Sequence, residues 1–108
     1  MQDIFPNEVG QWQQRGAKII DVREPEEFAG GHLPGAVNIP LADLTLILEL
    51  NASPLVVVCA SGGRSASAAA LLEEAGHLEV ANLLGGTFGW LQEGRPVEFP
   101  EVDADDRH

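Results

Sequence analysis

The sequence contains only one cysteine, Cys59, among its 108 residues. A single thiol cannot form an internal disulfide bond, and it cannot supply a metal site built from several cysteines. No apolar run approaches the ~20 residues that a membrane-spanning helix needs, and residues 1–6 have neither the basic nor the apolar segment of a secretion signal. We therefore expect a cytoplasmic protein that needs no metal and no cofactor.

Basic residues are also scarce. The chain has 6 Lys and Arg residues against 17 Asp and Glu residues, which gives a formal net charge of −11. This charge makes nucleic acids and anionic membranes poor partners, and it repels small anions at long range. Capture of an anionic substrate would therefore depend on the local field of a site. We expect acidic residues such as Glu27 to lie on solvated faces, and residues 101–108 to form a frayed acidic tail.

The length of the chain fits one domain, which we place at residues 1–100. Strand-like and helix-like segments alternate along it, and this pattern predicts an α/β fold with a largely parallel central sheet and helices on both faces. The predicted strands are residues 17–21, 37–39, 55–58 and 80–83. The predicted helices are residues 6–14, 25–29, 41–50, 65–74 and 87–93.

The most informative segment surrounds Cys59. The apolar run 55–58 predicts a buried strand that ends at the cysteine, and Ser61, Gly62 and Gly63 permit a tight turn before the helix predicted from residue 65. The backbone N–H groups of such a turn and the N-terminal end of the helix can both face an anion. The segment therefore favours a cysteine thiolate and an anionic substrate.

A structural role for Cys59 is the alternative, since free cysteines are often buried as small apolar side chains. A structural cysteine needs neither two glycines after it nor Arg64 five positions further on. A reactive cysteine needs a cationic, partly exposed site that lowers the pKa of the thiol. The neighbouring residues therefore favour catalysis at Cys59.

Three segments resemble the single-domain sulfurtransferases of the rhodanese family. The first segment comprises residues 21–28 together with residues 31–40, the second residues 59–65 and the third residues 84–90. The similarity extends from about residue 5 to residue 97. The resemblance implies a single rhodanese-like domain. It also implies transfer of a sulfane sulfur from a small anionic donor, thiosulfate or a persulfide, to cyanide or a thiol, with a sulfur-acceptor protein as a further partner.

The resemblance assigns roles to the residues of the cysteine loop. Cys59 is the catalytic residue and carries a persulfide, and Arg64 orients the anionic substrate. The loop that cradles the sulfur comprises Ala60, Ser61, Gly62, Gly63 and Arg64. In the implied reaction the Cys59 thiolate attacks the outer sulfur of thiosulfate, sulfite leaves, and the persulfide passes its terminal sulfur to the acceptor.

Three further residues are assigned supporting roles. Ser65 is predicted to be the N-cap of the following helix. Asp21 is predicted to accept hydrogen bonds from nearby turn N–H groups, and Arg23 to form an ion pair. The hydroxyl of Ser61 is close enough in sequence to reach the persulfide or the substrate, whereas His32 is expected to have a structural role.

Two other functions stay open. Phosphatases and arsenate reductases of similar fold separate their cysteine and arginine by five residues, whereas four residues separate Cys59 from Arg64, and this shorter loop favours a pocket for sulfur. A non-catalytic interaction or sensor module, or a persulfide carrier, is the other alternative. Arg64 is the only cation of the loop, so sulfane-sulfur transfer is predicted more firmly than the use of thiosulfate itself.

Overall fold

The computed structural model describes residues 1–43, 45–46 and 54–100. Most of the helix predicted at residues 41–50 lies outside this part of the chain, and so does the predicted acidic tail. Residues Leu41–Asp43, at the start of that predicted helix, form a 3₁₀ turn.

A parallel sheet forms the centre of the molecule. Its strands in the described part of the chain are β1 (Gln2–Ile4), β2 (Lys18–Asp21), β3 (Val37–Asn38), β4 (Leu55–Val58) and β5 (Val80–Leu83). They lie in the order β1-β5-β4-β2-β3, and every neighbouring pair is parallel. The predicted α/β class is confirmed, and the short strand β1 is an addition to the strands predicted from the sequence.

Helices cover both faces of the sheet, as the sequence predicted. The described helices are α1 (Val9–Gln14), α2 (Pro25–Ala29), α3 (Gly63–Glu74) and α4 (Gly86–Gln92). Trp12 of α1 and Trp90 of α4 pack on one face, and Leu72 of α3 packs on the other. The two faces together form the core of the domain.

Strand β4 is buried on both faces, which explains its continuous apolar sequence. Val56 and Val58 point into the core on the side of α1 and α4, whereas Leu55 and Val57 point into the core on the side of α3. Cys59 continues this alternation and lies on the α3 side. The pleat of β4 therefore directs the thiol towards the N-terminal end of α3.

Strands β2 and β4 are neighbours, and their carboxyl ends meet at one edge of the sheet. Asp21 is the register partner of Val58, and the backbone N–H of Val22 donates to the carbonyl of Val58 at 2.9 Å. The turn after β2 and the loop after β4 therefore lie side by side, at the edge where open α/β sheets bind their ligands.

Candidate active site

Cys59 lies at the bottom of a short loop between β4 and α3, with 1% of its surface exposed. Gly62 is the N-cap of α3 and has φ of 109°, a backbone conformation that residues other than glycine rarely adopt. The helix begins at Gly63, two residues earlier than predicted. Ser65 is consequently not the N-cap, as the sequence had suggested, but the third residue of α3.

Two donors point at the Cys59 sulfur. The backbone N–H of Gly62 donates to Sγ at 3.0 Å, and the Ser65 hydroxyl lies 3.3 Å from Sγ. Burial raises the pKa of the Cys59 thiol, but the Ser65 hydroxyl and the backbone N–H groups of Ser65, Gly62 and Ser61 together outweigh it and lower the pKa below its ordinary value. The loop thus stabilises a thiolate without a neighbouring general base.

The Ser65 hydroxyl also belongs to a polar chain behind the thiol. Its oxygen is hydrogen-bonded to Oδ1 of Asn82, a buried residue of β5, and Nδ2 of Asn82 donates to Oδ1 of Asp3 at 3.2 Å. A hydroxyl has one proton, so donation to the sulfur competes with donation to Asn82. Sequence reasoning missed Asn82, although a polar residue inside the apolar run 80–83 was a usable signal.

The backbone of the loop is held from behind by α4. The N–H of Thr87 donates to the carbonyl of Cys59 at 2.8 Å, and the N–H of Phe88 donates to the carbonyl of Ala60 at 3.0 Å. Gly86 permits this contact, because a Cβ there would collide with the Cys59 carbonyl oxygen and lie 2.7 Å from the carbonyl carbon of Ala60. The absence of a side chain at Gly86 therefore allows the first turn of α4 to support the cysteine loop.

Arg64, the second residue of α3, is engaged by a carboxylate. Its Nη1 and Nη2 donate to Oε1 and Oε2 of Glu27 at 2.8 and 3.0 Å. The hydrogen bond from Arg64 is the largest cause that lowers the pKa of Glu27, to about 2, and the same bond raises the pKa of Arg64. Glu27 was expected on a solvated face; it is instead the partner of the loop's cation, because α2 lies beside the start of α3.

Asp21 and Arg23 form a buried ion pair at the end of β2. Nη2 of Arg23 donates to Oδ2 of Asp21 at 2.9 Å and to the carbonyl oxygen of Gly31 at 2.8 Å. The backbone N–H of Arg23 donates to Oδ1 of Asp21 at 3.0 Å. This arrangement fixes the turn beside the cysteine loop and engages Nε and Nη2 of Arg23.

Ser61 and His32, to which the sequence assigned secondary roles, have different surroundings. Ser61 is exposed in the loop. His32 is buried, with Nδ1 lying 3.1 Å from the carbonyl oxygen of Phe28 and its ring stacked on the Phe28 ring at 3.7 Å. The contacts of His32 are those of a packed turn residue.

Neither a metal cluster nor a membrane-spanning helix occurs among the described residues. In residues 1–43, 45–46 and 54–100, no group of three or more His, Cys, Asp or Glu side chains is arranged to hold a metal ion. No helix in this part of the chain is long and apolar enough to cross a membrane.

Known proteins are similar to this chain over most of its length. A protein of Pseudomonas aeruginosa named thiosulfate sulfurtransferase GlpE is 41% identical over 92 residues, which cover 82% of this chain and 83% of that protein. A protein of Allochromatium vinosum named sulfurtransferase is 34% identical over 87 residues, which cover 77% of this chain and 79% of that protein. The crystal structure of a rhodanese-related protein from Thermoplasma volcanium superposes with a TM-score of 0.81 at 29% identity, covering 93% of this chain and all of that one.

The family model of the rhodanese-like domain matches residues 5–93. This match and the similar proteins confirm the resemblance that the three sequence segments indicated. The chain belongs to the rhodanese-like domain family.

Proposed function

We propose that this protein is a sulfurtransferase that moves a sulfane sulfur from thiosulfate, or from a persulfide donor, through a persulfide on Cys59 to cyanide or a thiol. The observation that carries the proposal is the Cys59 sulfur at the end of β4, where it accepts the Gly62 N–H at 3.0 Å. The relatives named sulfurtransferases from Pseudomonas aeruginosa and Allochromatium vinosum support the same activity.

The reaction needs two displacements at sulfur. In the first, the Cys59 thiolate attacks the outer sulfur of thiosulfate, a new S–S bond forms, and the S–S bond of thiosulfate breaks with its electron pair leaving on sulfite. In the second, cyanide or a thiolate attacks the terminal sulfur of the persulfide, and the electron pair returns to Cys59. Thiocyanate or a new persulfide leaves, and no redox cofactor is consumed.

The loop residues would act on the negative charge that stays on sulfur throughout the cycle. The N–H of Gly62 and the Ser65 hydroxyl already face Sγ, and the terminal sulfur of a persulfide would sit within the loop, close to the exposed residue Ser61. Donors fixed in place stabilise this charge without having to reorganise during the reaction. Arg64 would contribute by binding oxygens of an anionic donor.

Steady-state formation of thiocyanate from thiosulfate and cyanide tests this proposal. We expect turnover by the natural protein and none above background by Cys59→Ser, since a hydroxyl is not ionised at neutral pH and cannot carry a sulfane sulfur. Full activity of Cys59→Ser would contradict the proposal.

A persulfide carrier that receives sulfur from another protein is the second candidate. The observation that favours it is the ion pair between Arg64 and Glu27. Because Arg64 is paired with this carboxylate, it is less available to bind an anionic donor such as thiosulfate. Such a carrier would acquire sulfur from a persulfide donor and hardly any from thiosulfate. Loading by the two donors, compared at equal concentration, separates the candidates. The predicted cytoplasmic location belongs to the same proposal and would suit either role.

A further inference from the structure

The ion pair between α2 and α3 joins the loop's cation to a carboxylate outside the loop. Arg64 and Glu27 are separated by 37 residues in the chain, and their two hydrogen bonds form a fork of 2.8 and 3.0 Å. Oε1 of Glu27 also accepts the backbone N–H of Glu24 at 3.0 Å, which fixes the carboxylate at the first turn of α2. The guanidinium therefore faces a carboxylate that is already held in position.

The charges around the site add to this effect. The other arginine at this edge, Arg23, is bound to Asp21 and is 4% exposed, so it offers little to an approaching anion. Glu24, the N-cap of α2, and Glu26 of α2 are both exposed and lie within three residues of Glu27 in the sequence. Among the described residues, the edge around Cys59 thus presents carboxylates and two arginines that are both paired.

We infer that Glu27 is a specificity-determining residue that neutralises Arg64 and thereby discriminates against small, highly charged anionic donors. A dianion such as thiosulfate must displace Glu27 from the guanidinium or bind to the loop N–H groups alone. A donor with less charge at its reacting end avoids this competition. The consequence for sulfur donors rests on the proposed function, whereas the electrostatic effect on Cys59 does not.

Alkylation of the chain's one cysteine measures that electrostatic effect directly. Iodoacetate and iodoacetamide attack the same thiolate by the same chemistry, but iodoacetate is an anion and iodoacetamide is neutral. The ratio of their rate constants therefore reports the charge around Cys59 and cancels any change in the pKa of the thiol. The ratio does not depend on sulfur transfer.

Two variants of α2 form a matched pair for this measurement. Glu27→Gln and Glu26→Gln each remove one negative charge, but Glu26 is exposed and forms no ion pair with a described residue. We expect Glu27→Gln to raise the iodoacetate-to-iodoacetamide ratio roughly three- to tenfold, the effect of one charge in a partly screened site, and Glu26→Gln to raise it less than about twofold. Equal ratios for the two variants, or an unchanged ratio in Glu27→Gln, would overturn the inference.

A double variant tests the neutralisation itself. Removing both charges with Arg64→Gln and Glu27→Gln should leave the ratio within about twofold of the natural protein, since the pair contributes little net field. A clear fall in the ratio would show that Arg64 acts as a cation that Glu27 does not offset, and this would contradict the inference. Thermal unfolding of each variant verifies that it is folded, and the double variant keeps the inference testable should Glu27→Gln be unstable.

Steady-state kinetics with thiosulfate test the consequence for the sulfur donor. With thiosulfate, Glu27→Gln should lower KM severalfold while kcat changes less, and Glu26→Gln should change neither by more than about twofold. If the alkylation ratio responds as expected but thiosulfate loads no sulfur on any variant, the electrostatic effect of Glu27 stands and the proposed function with thiosulfate fails. If the natural protein turns over thiosulfate and the ratio in Glu27→Gln is unchanged, the inference fails and the proposed function stands.

Discussion

At the scale of single residues, the reactivity of Cys59 depends on the donors that face its sulfur. Burial raises the pKa of the Cys59 thiol, and the Ser65 hydroxyl is the largest of the contributions that lower it. The thiolate is the reactive form, so its fraction rises as the pH rises through this lowered pKa. Loss of the hydroxyl removes a hydrogen bond that stabilises the thiolate more than the thiol, and it also removes the hydrogen bond to Asn82.

We therefore predict that Ser65→Ala raises the pKa of Cys59 and shifts the pH profile of iodoacetamide alkylation to higher pH. A hydrogen bond to a charged group contributes about 1.5 kcal/mol, which corresponds to roughly a tenfold change in the ionisation constant, so the rate at neutral pH should fall by up to about tenfold. Ser67→Ala is the control, since Ser67 is exposed on the same helix and its hydroxyl only approaches the Gly63 carbonyl at 3.5 Å. Coincident profiles for the two variants would contradict the role of Ser65.

Some residues of the site could be predicted from local sequence patterns, and others could not. Cys59, Gly62 and Arg64 lie within six positions, so the local pattern was sufficient to predict a thiolate loop. Glu27 and Asn82 reach the site only through the tertiary fold, from α2 and β5. Glu27 has the residue type of an ordinary surface position, and Asn82 stands out only as a polar residue in an apolar strand, so no local pattern links either residue to the cysteine.

At the scale of elements, the first turn of α4 is a support for the loop. Gly86 has φ of 57°, and a side chain there would meet backbone atoms of Cys59 and Ala60, which cannot move without displacing the thiol. Gly94 also has a positive φ, 71°, but a Cβ there would meet nothing within 4 Å. Substitution of either glycine would strain the backbone, but only a side chain at Gly86 would also clash with the cysteine loop. Comparing the two substitutions therefore separates the effect of strain from the effect of the clash.

We predict that Gly86→Ala lowers both stability and turnover, the latter at least about tenfold, because a displacement of reacting groups by about 1 Å can cost two orders of magnitude. Gly94→Ala should cost only about 1 kcal/mol of stability, from the strained φ, and leave turnover unchanged. Denaturant unfolding and thiocyanate formation, measured on both variants, provide the comparison. Normal turnover in Gly86→Ala would remove the support that we assign to α4.

Element boundaries were the part of the fold that the sequence predicted least well. The helix after Cys59 begins at Gly63 and not at residue 65, because Gly62 turns the chain through its positive φ without any capping side chain. Strand β1 was missed because only Ile4 of its three residues is buried, which leaves no alternating pattern to recognise. Strands β4 and β5 were predicted with their observed bounds, since they are buried along their whole length.

At the scale of the whole molecule, the net charge of −11 opposes the approach of every small anion. Salt screens charges that lie farther apart than about 10 Å at 0.1 M, and it affects close ion pairs such as Arg64–Glu27 less. The long-range repulsion and the local effect of Glu27 can therefore be separated by ionic strength.

We predict that raising the salt concentration from about 10 mM to about 500 mM accelerates alkylation of Cys59 by iodoacetate severalfold and leaves iodoacetamide nearly unaffected. The ratio of Glu27→Gln to the natural protein should persist at high salt, although it becomes smaller. An iodoacetate rate that does not depend on salt would mean that the acidic surface does not act on the site.

Intact mass tests the claim that Cys59 carries the transferred sulfur. The reduced protein and Cys59→Ser are each incubated with thiosulfate or glutathione persulfide, desalted and weighed by mass spectrometry. We predict the gain of one sulfur atom on the natural protein only, and its loss when cyanide is added, as thiocyanate appears. No sulfur adduct from either donor, or an equal adduct on Cys59→Ser, would contradict the claim.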